Sequence, residues 1–238
     1  MSSAIVPGGG QAVGYSDSGG HDAAHDHHEE EHHTSMGLSS VKLLMWTFIA
    51  SECMLFGTLI AAFLAYLNKA RDLEARGLGE LWQGPLPHEI YDIPYTSVSA
   101  FVLLLSSLTM VLALAAAQSN NQRQLRIWLL ATALLGLVFL GGQYFEFTTF
   151  REGIHHAPVW LDTSQFGSSF FTLTGFHGAH VTVGAVWLLS LWMYSLRRGI
   201  PASKSLMVEI AGLYWHFVDV VWIVIFTVVY LAPTALGI

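Results

Sequence analysis

The chain has 238 residues, 53% of them hydrophobic and only 11% charged. An average soluble domain carries about 25% charged residues, so most of this chain does not face water. Its net charge of −7 is concentrated before Met36, where six acidic residues stand with no Lys or Arg; the near-neutral remainder lacks the basic surface that nucleic acid requires.

Residues 1–38 read as a disordered tail, first Gly/Ser-rich and then His/Asp/Glu-rich, with too few apolar side chains to order itself. No basic stretch leads into an apolar one, so the tail does not read as a secretory signal. Its histidines, His21, His25, His27, His28, His32 and His33, could hold a transition metal loosely or simply be solvated.

Residues 39–238 read as one transmembrane domain. Five apolar runs, at approximately 41–67, 95–117, 126–147, 169–195 and 212–232, each reach the ~20 residues needed to cross a hydrocarbon core. Lipid offers no partner for backbone N–H and C=O groups, so runs of this length must be helices. The fold class is therefore all-α: a bundle of five transmembrane helices with a disordered N-terminal tail. The single cysteine, Cys53, excludes an internal disulfide, and its apolar run predicts a small buried hydrophobe. Trp and Tyr near the run ends suit aromatic belts. The long connection 68–94, with Gly84-Pro85-Leu86-Pro87, predicts an irregular surface loop.

Five crossings put the termini on opposite sides of the membrane. Lys42, Arg123, Arg126, Arg197, Arg198 and Lys204 share the side of the N-terminus, against Lys69, Arg71, Arg76 and Arg151 on the other. The positive-inside rule then predicts a cytoplasmic N-terminus and a periplasmic or extracellular C-terminus.

Ionisable groups inside a membrane are costly and by default mark function. Glu52 lies mid-way along the first run and Glu146 near the end of the third. His177 and His180 lie in the fourth run, His216 and Asp219 in the fifth, and Glu209 just before the fifth. His177 and His180 are i, i+3 and so share a face, as do His216 and Asp219, with Trp215 and Trp222 on either side of that stripe. Two readings stay open for these pairs: a proton path or headgroup site, or hydrogen-bonded glue between helices. The pair in the fifth helix is expected to tie it to the fourth or the first. Glu52 has no Lys or Arg in its run and is expected to be neutral or to pair through His or water. The histidines are distributed wrongly for haem ligation, and no fourth ligand for copper or zinc is evident. No nucleotide loop, CxxC or catalytic triad is present.

The strings FIASECMLF, QYFEF, TGFHGAHVTVGA and GLYWHFVDVVWIVIFTVVYL resemble the signature helices of subunit III of the haem–copper terminal oxidases, in order, over about residues 41–232. The resemblance implies a subunit without a redox centre of its own, the haems and copper lying in partner subunits. It implies packing on subunit I beside subunit II, phospholipid in a cleft between helix bundles, and a place near the mouth of a proton-uptake path. By position it makes Glu52 the family's buried carboxylate. It makes Glu146, His177, His180, Glu209, Trp215, His216 and Asp219 the other signature polar and aromatic residues. The longer family form has seven helices, and the first two are missing here; the five-helix form points to a bacterial plasma membrane. The SEC and YWHFVDVVW spellings lean to an oxidase fed by cytochrome c. A bo-type quinol oxidase is the alternative, and a stand-alone transporter is the reading from another class.

Overall fold

The computed structural model describes residues 39–77, 93–152 and 165–233. The His-rich tail, most of the 68–94 connection and His155, His156 and Pro158 lie outside the described residues. Five long helices carry the rest: α1 (Ser40–Ala75), α2 (Ile93–Gln118), α3 (Gln122–Glu152), α4 (Gln165–Arg198) and α5 (Leu206–Ile225), the last continued by a π-helical turn at Phe226–Leu231. Each is long and apolar enough to cross a membrane.

The helices outrun the apolar stretches that predict them. The first reaches Ala75 rather than residue 67, because helical hydrogen bonding continues once the chain leaves hydrocarbon. The Arg76 guanidinium bonds the Asp72 carboxylate one turn back, at 3.0 Å, which supports that exposed last turn. Gly77 and Gly199 then take positive φ, of 67° and 70°, and end α1 and α4 where a β-carbon would be strained. Pro94 sits at the start of α2, where its missing N–H costs no helical bond.

Helices α2, α3, α4 and α5 form the body of the bundle, and α1 lies at its edge against α4 and α5. The core centres on Trp215, which is fully buried. Its indole lies against Gly136 of α3 and Gly184 of α4, where a β-carbon would come within 2.5 Å and 2.9 Å of the ring. Its Nε1–H donates to Ser106 Oγ of α2 at 2.9 Å. One side chain thus fixes the spacing of four helices, because the two glycines let their backbones approach it. Thr109 and Thr132 add a hydroxyl bond of 2.8 Å between α2 and α3.

One expectation changes. Cys53 is exposed, not buried. Helix α1 packs through one narrow edge, and Cys53, 100° round from Glu52, turns outward.

Candidate functional site

The intramembrane polar residues do not converge into one network. Three separate groups hold most of them, and each joins different helices.

The first group joins α1 to α4. His180 Nδ1–H donates to the carbonyl oxygen of Phe176 at 2.8 Å, and its Nε2 lies 3.2 Å from Glu52 Oε2. A carbonyl only accepts, so Nδ1 carries a proton. Nε2 and the carboxyl oxygen are both acceptors unless one of them is protonated, so the contact holds one proton between them. The pair is net neutral whichever atom keeps it, as a mid-membrane site requires. The two side chains are 17% and 16% exposed. Phe56 packs its ring on His180, and Tyr214 O–H of α5 donates to the His180 carbonyl at 3.0 Å. Beside the pair opens a cleft of about 460 Å3 with almost wholly apolar walls: Met45 and Phe48 of α1, Phe176, Val183 and Trp187 of α4, and Tyr214 of α5.

The second group joins α5 to α2. His216 Nδ1 and Ser107 Oγ share a hydrogen bond of 2.6 Å, while the Asp219 carboxyl, one turn on, is buried with neither oxygen hydrogen-bonded among the described residues. The expected tie to the fourth or first helix is thus corrected: this stripe of α5 faces α2. Ser106 and Ser107 are adjacent hydroxyls half-way along α2. They serve Trp215 and His216 in turn. Ser107→Ala leaves the His216 nitrogen unbonded, which should cost about 1–3 kcal/mol. Thermal unfolding of the purified protein measures this, and an unchanged midpoint would show that the bond contributes nothing.

The third group ties α2 to α3 near the other membrane face. Glu146 accepts from Thr96 Oγ1 at 3.1 Å and from Gln143 Nε2 at 2.9 Å. Tyr95 O–H bonds the Gly142 carbonyl alongside, at 3.3 Å.

His177 belongs to none of these. It is fully buried and stacks on Trp222 with ring centroids 5.0 Å apart, while Phe139 meets both rings edge-on. Positions i and i+3 on a helix differ by about 60°, and here that angle separates a ring in the core from a ring facing α1.

Polar staples gather at the end of the bundle where α1 begins. Lys42 Nζ lies 2.6 Å from Glu209 Oε1, so Glu209 joins α5 to α1. Gln122 both donates to the Ile200 carbonyl, at 2.6 Å, and accepts from its N–H, at 2.8 Å. Arg126 donates to the Ser195 carbonyl at 2.8 Å. A partly exposed ion pair contributes little. Lys42→Ala should therefore cost at most about 1 kcal/mol and leave the unfolding midpoint almost unmoved; a shift of many degrees would show that the pair is shielded. Among the described residues no three His, Cys, Asp or Glu side chains are placed to hold a metal ion.

The family model for cytochrome c oxidase subunit III matches residues 17–233. This chain belongs to that family. It is 37% identical over 191 residues to a probable quinol oxidase subunit 3 of Staphylococcus saprophyticus, covering 80% of this chain and 88% of the relative. It is 37% identical over 186 residues to cytochrome c oxidase subunit 3 of Bacillus sp. (strain PS3), covering 78% and 83%. It is 38% identical over 190 residues to cytochrome c oxidase subunit 3 of Alkalihalophilus pseudofirmus, covering 78% and 84%. The protein is thus a membrane subunit of a terminal oxidase. Relatives named for either electron donor match it equally well.

Proposed function

We propose that this subunit III is a non-catalytic, scaffolding part of a cytochrome c oxidase that reduces oxygen to water. It seats on subunit I, beside subunit II, and leaves haem and copper to those partners. The observation that carries this reading is how the intramembrane polar side chains are used. Glu52 is engaged by His180, His216 by Ser107 and Glu146 by Thr96, each across a helix interface, and Gln143 adds a bond to Glu146 from within α3. Groups paired off between helices order a bundle; they do not ligate a shared cofactor.

The apolar cleft beside Glu52 and His180 suits a phospholipid acyl chain, which fills greasy space and needs no hydrogen bond. The pair then supports proton uptake indirectly, by ordering that lipid and the surface shared with subunit I. The charge count supports a cytoplasmic N-terminus, with Lys42, Arg126 and Lys204 on that side, and the five-helix form supports a bacterial plasma membrane.

The test is purification of the tagged chain from its native membrane, followed by an optical spectrum and intact mass measurement. The expected result is co-purification with a haem-bearing subunit, and loss of the haem band once this chain is stripped free. Purification alone or as a homo-oligomer, without haem, would favour a transporter. A dicopper Cys/His motif in the co-purified subunit II would assign cytochrome c as donor, and its absence would assign a quinol.

A further inference from the structure

Opposite the lipid-sized cleft, α1 has a second flank. Helix α5 packs against both α1 and α2, but α1 and α2 form no extensive contact with each other among the described residues. An open groove results, floored by one stripe of α5: Leu213, His216, Val220 and Ile223. Val220 is 56% exposed there, and Val111, one turn on from Ser107 along the α2 wall, is 50% exposed.

His216 is the anomaly in this groove. It lies about eleven residues into α5, or about 16 Å at 1.5 Å per residue. That depth is near the middle of a ~30 Å hydrocarbon core. The ring is only partly buried. Its Nδ1 is bonded to Ser107, and its Nε2 has no hydrogen-bonding partner among the described residues. An acyl chain offers nothing to that nitrogen, and lipid headgroups do not reach this depth. The remainder of the floor and the α2 wall is apolar, as a packing surface for another helix would be.

We propose that the groove between α1 and α2 seats a transmembrane helix of another subunit of the complex, which sets a hydroxyl or amide side chain against His216 Nε2. A hydroxyl or an amide both donates and accepts, so it serves either tautomer of the ring. This inference rests on the reading of the chain as an oxidase subunit, and it adds which face docks and what chemistry meets it.

The experiment uses the intact complex in its native membrane, in a Cys53→Ala background. Val111→Cys and Val220→Cys place a photo-crosslinker in the groove; Val138→Cys and Val186→Cys place it on the exposed faces of α3 and α4. The groove positions should crosslink to another oxidase subunit, and the control positions should not. Crosslinks to that subunit from the controls alone would overturn the proposal while leaving the oxidase reading intact. Attachment of the groove positions to lipid only, or to a second copy of this chain, would overturn it as well. Absence of any haem-bearing subunit from the preparation would overturn the oxidase reading, and this inference with it.

The His216 contact has its own arm. His216→Phe keeps the ring and removes both nitrogens, whereas Ser107→Ala removes only the internal bond. His216→Phe should lower retention of this chain in the purified complex by about threefold more than Ser107→Ala, the value of one average interhelical bond in a membrane. Equal retention would remove the polar contact from the proposal.

Discussion

Trp215→Ala is expected to cost about 3–5 kcal/mol, the usual range for deleting a large buried aromatic. Against a total stability of about 5–15 kcal/mol this is enough to shed the chain from its complex during purification. The indole fills the space between α2, α3 and α4, and its removal also takes the N–H donor from the Ser106 hydroxyl, which keeps only its bond to the Leu103 carbonyl. A two-residue cycle separates packing from simple loss of a side chain. Gly136→Ala adds one β-carbon within 2.5 Å of the indole and should cost about 1–3 kcal/mol by overpacking. Trp215→Phe shortens the ring and should be destabilising alone. Combined with Gly136→Ala it should be less harmful than the two added together, since the smaller ring makes room for the new methyl. Thermal unfolding of the four proteins gives the coupling. Strict additivity would show that Trp215 and Gly136 do not set the helix spacing.

Glu52 should give the second large effect, visible over time rather than at once. Glu52→Gln keeps a side chain of the same shape, whose amide N–H donates to His180 Nε2. It should assemble normally and start oxygen reduction at close to the wild-type rate. Glu52→Ala leaves the Nε2 atom without its partner and opens a gap beside the cleft that holds Met45 and Phe48. A group left unsatisfied there costs about 1–3 kcal/mol. That variant should assemble but lose activity several-fold faster during sustained turnover, as ordering at the edge helix is lost. Oxygen consumption followed over many turnovers, with subunit content checked afterwards, measures both. An immediate large loss of rate in the Gln variant would contradict the scaffolding role, because it would require an ionised carboxylate to carry protons itself.

How far the site could be read beforehand follows from what each residue type can hide. Glu52, His180 and His216 were conspicuous because charge and imidazole do not belong in hydrocarbon. Ser106 and Ser107 were not, since a hydroxyl in a helix can bond its own backbone and so tolerates lipid. Gly136 was also silent as an anchor: a glycine's role depends on what packs against it. Lys42 and Glu209 lie 167 positions apart, and nothing in either run announces the other.

The sequence by itself determined the number, order and approximate limits of the five crossings, because hydrocarbon permits an apolar run of ~20 residues only one backbone structure. It also determined which polar groups needed a partner. The tertiary structure alone decided the pairings. In a crossing helix lipid and protein neighbours are almost equally apolar, so hydrophobic periodicity says little about rotation about its axis. That rotation is set by close packing, here by Trp215 against two glycines. It turns His177 onto Trp222, His180 onto Glu52 and His216 onto Ser107. A rotation of α4 by about 60°, less than one residue's step, would have exchanged the surroundings of His177 and His180.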